Sequence, residues 1–179
     1  EKKLAKKYKG SVVKITTGKG LTITATPNHI GFIKLSPEPE KFYVYLMYKK
    51  DIGYRIGQTQ GVRSREGEIV NGLNVRLNQE HADKIWILKV TDNKEETTYF
   101  EQYYAFKYGI PTTLFHGVGR RISMSQKYLN KLFNSIDTEK AALKLMEDEN
   151  LFEEYPHCIP NAVVRGGSIR RIVNVVSFG

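Results

Sequence analysis

The sequence predicts an α+β fold, and three observations carry that prediction. The chain opens with short β-branched, alternating stretches separated by a glycine-bearing turn. Two strands dense in aromatic and β-branched residues follow a proline-rich boundary. Beyond them lie helical patterns whose starts carry capping residues and whose ends carry breakers.

Taken in order, Glu1 to Lys9 holds five lysines and little apolar content, which reads as a solvated start. Ser11–Thr16 and Leu21–Thr26 alternate in polarity, and Gly18-Lys19-Gly20 supplies the turn of a hairpin. His29–Leu35 is expected to be a third strand, ended by Ser36-Pro37-Glu38-Pro39-Glu40. Phe42–Tyr48 and Tyr54–Gly57 are expected to form a second hairpin around Lys49–Gly53. Arg63–Asn74 is polar, charged and glycine-containing, so it reads as a loop or a weakly amphipathic helix. Asn78 is expected to cap a helix from Gln79 to about Lys84, and Ile85–Val90 is expected to be a buried strand.

Asp92 or Asn93 caps the next helix, which runs through Glu101 to Tyr108 and stops at Gly109 and Pro111. Ser123 or Ser125 opens a helix with Tyr128, Leu129, Leu132, Phe133 and Ile136 on one stripe. Asp137 opens another with Ala141, Ala142, Leu145 and Met146, so the two form a helical hairpin. Tyr155–Pro160 reads as irregular, and Arg170–Phe178 as a β-branched strand without a partner.

With 179 residues the chain suffices for one ordinary domain or two small ones. Its 28 Lys+Arg against 19 Asp+Glu leave a net charge of +9, a balance that favours polyanions and nucleic acid ahead of a merely soluble basic surface. The single cysteine, Cys158, cannot form an internal disulfide, and no Cys/His cluster has zinc-ligand spacing. No apolar run approaches about 18 residues and no signal-peptide core follows the lysines, so a soluble, reducing, cytoplasmic setting without membrane contact is expected.

Tyr43-Val44-Tyr45, then Arg55-Ile56-Gly57, then Arg63-Ser64-Arg65 resemble the entrance of a GIY-YIG nuclease domain. The resemblance implies two motifs on adjacent antiparallel strands, an arginine on the following helix, and a glutamate on a later helix that holds one divalent metal. Tyr45 fills the place of the first motif's tyrosine, Arg65 that of the arginine, and Glu101 that of the metal ligand, with Mg²⁺ or Mn²⁺ implied as cofactor. Such residue types suit phosphodiester cleavage, which needs an activated nucleophile, a neutralised phosphate and a stabilised leaving oxygen. Tyr43, Tyr45, Tyr54, Arg65 and Glu101 are therefore the candidate catalytic set. Arg63, Arg76, Arg120, Arg121 and Lys127 are candidate contacts to double-stranded DNA.

The second motif departs from the family, since Arg55 stands in the tyrosine's place and Tyr54 falls one residue early, on the opposite strand face. Either a bulge at Gly53 re-aims Tyr54, or the active site has decayed and the fold with its DNA affinity remains. Each residue also has a plainer reading: strand tyrosines pack, most arginines are surface charges, and Glu101 sits among aromatics on its helix.

Upstream, Thr26-Pro27-Asn28-His29 resembles the Thr-x-x-His block of Hint (intein) splicing domains, with Thr26 and His29 in the block's two roles. A strand-end histidine bonded to backbone is the alternative. Stretches around Gln79–Asp83 and Tyr103–Pro111 resemble inteins inserted in DNA helicases, which implies a host extein protein of that kind. The resemblance places partial Hint strands at 1–36, a nuclease-like domain at 40–120, a helical extension at 121–160 and a return to the Hint sheet at 161–179. Because the sequence begins at Glu1 and ends at Gly179, without the junction nucleophile and terminal His-Asn pair, it is expected not to splice as it stands. The expected function is a homing-intein segment with DNA binding and Mg-dependent cleavage. A decayed DNA-binding module and a non-enzymatic interaction domain are the alternatives.

Overall fold

A computed structural model describes residues 6–17, 19–26, 31–33, 38–65, 68–117, 122–165, 168–172 and 175–177. The chain divides into two compact units: residues 1–33 with 176–179, and residues 34–175. The first contains strands β1 (Val13–Thr16) and β2 (Thr22–Ala25), paired antiparallel with Val13 opposite Ala25. A short β3 (Gly31–Ile33) pairs with the last strand, Val175–Ser177. The expected unpartnered strand over Arg170–Phe178 is thus corrected. It consists of two strands, and each has a partner.

The larger unit is built on β4 (Phe42–Lys49), β5 (Gly53–Gln60) and β8 (Lys84–Thr91), an antiparallel sheet with β4 in the middle. Aromatic and β-branched side chains bury both faces of β4, which explains its nearly continuous apolar run. A small hairpin, β6 (Val62–Arg65) and β7 (Glu68–Asn71), and helix α1 (Gly72–Gln79) connect β5 to β8. Here the sequence reading is corrected twice. Arg63–Asn74 is mostly hairpin, and the helix cap is Asn71 rather than Asn78, its side chain accepting from the N–H groups of Leu73 and Asn74.

Helix α2 (Lys94–Tyr108) begins at the capping side chain of Asn93 and ends at Gly109, whose φ of 69° is the left-handed cap that favours glycine. Helices α3 (Gln126–Ser135) and α4 (Thr138–Asp148) follow, and Asp137 caps α4 by accepting from the N–H of Lys140. Strands β9 (Ile159–Arg165) and β10 (Ser168–Ile172) form an antiparallel pair, and Val175–Ser177 is β11.

Two cores sandwich the sheet. On one face Tyr43, Tyr45, Met47 and Ile85 meet Leu73 and Leu77 of α1, Phe133 of α3, and Phe115. On the other, Val44, Leu46, Tyr54, Ile56 and Trp86 meet Tyr104 of α2 and Ala142, Leu145 and Met146 of α4. Sheet and helices therefore form an α+β arrangement with three layers.

Candidate functional site

Strand register decides which side chains can meet. Across β4 and β5, Tyr43 faces Thr59, Tyr45 faces Gly57 and Met47 faces Arg55, on the sheet face that receives α1. Pairing runs unbroken from Phe42↔Gln60 to Lys49↔Gly53, so no bulge re-aims Tyr54. Tyr54 lies in the opposite core, with its ring 4.7 Å from Tyr48 and 6.1 Å from Trp86. It leaves the candidate catalytic set, and Arg55 holds the place on the site's face.

Tyr45 is 1% exposed, and the phenol end of its ring packs against Gly57: a Cβ at residue 57 would meet the phenol oxygen at 2.7 Å. Glycine is needed there because the neighbouring tyrosine fills the space a side chain would occupy. Burial pushes the Tyr45 phenol up, against the opposing pull of Arg55 and Arg76, so it stays a neutral hydrogen-bonding group at physiological pH. Tyr43, also buried in this core, has its phenol raised by burial and lines the same side.

Beneath Tyr45, Arg55 is 4% exposed and Glu80 1%. Arg55 donates through Nη1 to Glu80 Oε1 at 2.7 Å, through Nε to the Thr113 carbonyl at 2.7 Å, and through Nη2 to the Thr112 carbonyl at 2.7 Å. All three nitrogens are engaged, which is what a guanidinium requires in order to be buried.

Glu101 projects from α2, half-buried, and Gln58 Nε2 donates to its Oε2 at 2.7 Å. Burial raises the Glu101 carboxyl above the usual range, while the Gln58 hydrogen bond and the charges of Arg55 and Arg76 pull it back.

The expected arginine is corrected. Arg65 ends strand β6 opposite Glu68 and is not on a helix. Arg76, proposed above only as a DNA contact, occupies α1, the helix directly after the hairpins, and its buried Nε has no hydrogen-bond partner. Its charge is a lesser influence that opposes the dominant effect of burial on the Tyr45 phenol and the Glu101 carboxyl. Sequence reasoning missed this placement because it set the helix cap at Asn78 rather than Asn71. Asn71, a capping residue just ahead of Gly72-Leu73, was the available signal.

Among the other expected contacts, Arg63 is half-buried on β6 and Lys127 is exposed in the first turn of α3. Arg120, Arg121 and His29 lie outside the described residues, and Thr26 is half-buried in the other unit. Among the described residues no group of three or more His, Cys, Asp or Glu side chains could hold a metal. Glu101 is a single half-buried carboxylate bonded by Gln58, and a lone carboxylate can serve Mg²⁺ only where the ion keeps several waters and substrate phosphate supplies the rest. No helix of the described residues is long and apolar enough to cross a membrane.

Comparison of the chain with protein-family models, with curated proteins and with solved structures returns no match.

Proposed function

We propose that the larger unit is a DNA-binding domain of GIY-YIG type that cleaves phosphodiesters with Mg²⁺, carried within a Hint-like splicing element. The observation that carries this reading is the strand register, which sets Tyr45 against Gly57 and puts Arg55 on the same sheet face as α1, the helix that bears Arg76. Cleavage chemistry needs a cation against the phosphate, an oriented hydroxyl and a metal-holding carboxylate within one phosphate's reach.

In this reading Arg76 neutralises a phosphate oxygen, and Tyr45, neutral and almost fully buried against Gly57, packs beneath the site. Arg55 is a fixed positive charge under Tyr45, locked by Glu80. Glu101 would hold the Mg²⁺, whose contribution when bound is to polarise the phosphate and stabilise the leaving oxygen. The splicing context draws support from the way residues on both sides of the larger unit contribute to the smaller one, with β3 pairing β11. Thr26 and His29 would serve that element, and its host would be a DNA helicase.

The test is incubation of the purified protein with Mg²⁺ and DNA carrying the uninterrupted insertion site. Cleavage should fall at least 100-fold in Glu101→Ala and in Arg76→Ala, about the loss expected when a single transition-state stabiliser is removed. Cleavage insensitive to both would remove the assignment. A second reading, a DNA-binding module without cleavage, is favoured by one observation: the arginine in the tyrosine's place is consumed by a buried ion pair. Salt-steep binding with no cleavage would select it.

A further inference from the structure

Helix α1 turns an uncharged, carboxamide-rich face outward. Gly72, Leu73 and Leu77 are buried, whereas Asn71, Asn74, Val75, Asn78 and Gln79 recur at helical spacing on the opposite side, with Asn78 and Gln79 exposed. In a chain with 28 Lys+Arg and 19 Asp+Glu, a solvated helix face is ordinarily charged. Asparagine is also among the weaker helix formers, because its side chain competes for backbone hydrogen bonds, so Asn74 and Asn78 weaken the short helix that carries them. Solvation alone does not account for such a face.

The same residues line a cavity of about 260 Å³, bordered by Val70 and Asn71 of β7 and by Asn74, Val75, Asn78 and Gln79 of α1. Among the described residues this lining is four carboxamides and two valines, with no charged side chain. Asn71 Oδ1 is engaged in capping α1, and Asn74 forms the floor, its Oδ1 shielded from solvent. Asn78 and Gln79 stand at the open side. The support beneath is rigid. The Gly72 N–H donates to the Gly61 carbonyl at 2.8 Å, and a Cβ on Gly72 would meet the Gln60 carbonyl at 1.8 Å, so α1 starts pressed against the end of β5. Cationic residues flank the cavity: Arg76 follows Val75 on α1, and Arg63 lies directly opposite Val70 across the β6–β7 hairpin.

A lining without charge selects neither a phosphate nor a metal ion. A carboxamide sets a donor beside an acceptor and matches a neutral, planar group that offers the complementary pair. The major-groove edge of adenine, with N7 accepting and N6 donating, is such a group, and the methyl of its thymine partner suits an apolar side chain. Resting on the reading of this unit as a DNA-binding domain, we propose that α1 is its base-reading helix. Asn78 and Gln79 contact adenine edges in the major groove, Val75 meets the thymine methyl, and Arg63 and Arg76 contact phosphates. The groove, about 12 Å wide, admits an α-helix. Eight residues at about 1.5 Å each reach over roughly three base pairs.

The experiment uses the full chain in two arms. In the first, duplexes bound at low salt are selected from a randomised pool. The expected result is enrichment of A·T pairs at one or more fixed positions. Asn78→Ala or Gln79→Ala should then weaken binding of the selected duplex about tenfold, and weaken much less the binding of one carrying G·C at that position. Thermal unfolding should be unchanged or slightly raised, since alanine favours the helix. In the second arm, side-chain amides labelled with nitrogen-15 are titrated with adenosine and with cytidine. Adenosine should give a saturable shift of the Asn78 and Gln79 signals that cytidine does not. Asn130, whose Oδ1 accepts from Gln126 Nε2 at 2.7 Å, should stay unmoved.

Duplex binding that depends on Arg76 but shows no A·T preference, or a preference that both alanine variants keep, overturns the proposal and leaves the functional reading standing. An adenosine shift with no duplex bound at low salt keeps the base-edge site and removes the nuclease reading. Neither shift nor duplex binding removes both.

Discussion

At the scale of single residues, the Arg55–Glu80 pair is where chemistry and stability conflict. Both groups are almost fully buried, so deleting either leaves an uncompensated charge in the core. Arg55→Ala or Glu80→Ala should each cost about 3–5 kcal/mol in urea unfolding, whereas Arg55→Met with Glu80→Leu should cost clearly less than the two losses summed. A double variant that loses the full sum would show that the pair does not act as a unit. Glu101 gives a prediction of opposite sign. Its carboxyl is raised in the folded state, so the folded protein binds that proton more tightly, and stability falls as pH rises from the ordinary carboxylate value through the raised one. Glu101→Gln should be more stable than the parent at neutral pH, with the gain vanishing in acid, as denaturation midpoints across that range would show. Tyr45 and Glu101 were readable as site candidates from motif order alone. The place of Arg76 was not, because it depends on where an eight-residue, weakly amphipathic helix begins, and Asn71 and Asn78 offer the same capping chemistry.

Among the elements, β8 shows how an edge strand is covered. The Ile85 N–H donates to the Cys158 carbonyl at 2.9 Å, Cys158 returns the bond to Ile85 at 3.0 Å, and the indole of Trp86 donates to the Phe152 carbonyl at 2.9 Å. His157 completes the clamp as an acceptor for Ile87, a role it can fill only while neutral, and burial lowers its pKa. The sign follows: this contribution is fully present above the ordinary histidine value of about 6.5 and is lost as pH falls from there toward the depressed one. Hydrogen exchange at Ile87 should accelerate over that window, and His157→Gln should flatten the response. The strand pattern of Ile85–Val90 was evident in the sequence. What covers its edge was not, because Tyr155–Pro160 carries no periodicity and joins through backbone pairing at Cys158 and the ring of His157. Asn93 is simpler, since its side chain satisfies the Glu96 N–H, and Asn93→Ala should cost about 1 kcal/mol in thermal or urea unfolding.

For the molecule as a whole, the proposed nucleic-acid affinity, drawn by a net charge of +9, should be salt-dependent. The logarithm of duplex affinity should fall linearly with that of salt, and Arg76→Ala should reduce the slope by about one. A slope unchanged in that variant would place Arg76 away from the phosphates. By itself the sequence determined the α+β class, the hairpins 11–26 and 42–57, the strand at 85–90 and three of the four helices among the described residues. These follow from local rules of side-chain alternation, capping atoms and breakers, which act over a few residues. Tertiary structure alone decided that no bulge turns Tyr54 toward Tyr45, that Arg76 rather than Arg65 is carried on the helix after the hairpins, that Glu80 locks Arg55, and that the last strand returns to β3. Each of those depends on strand register or on contacts between distant residues. Such contacts form only when the two cores close on the sheet.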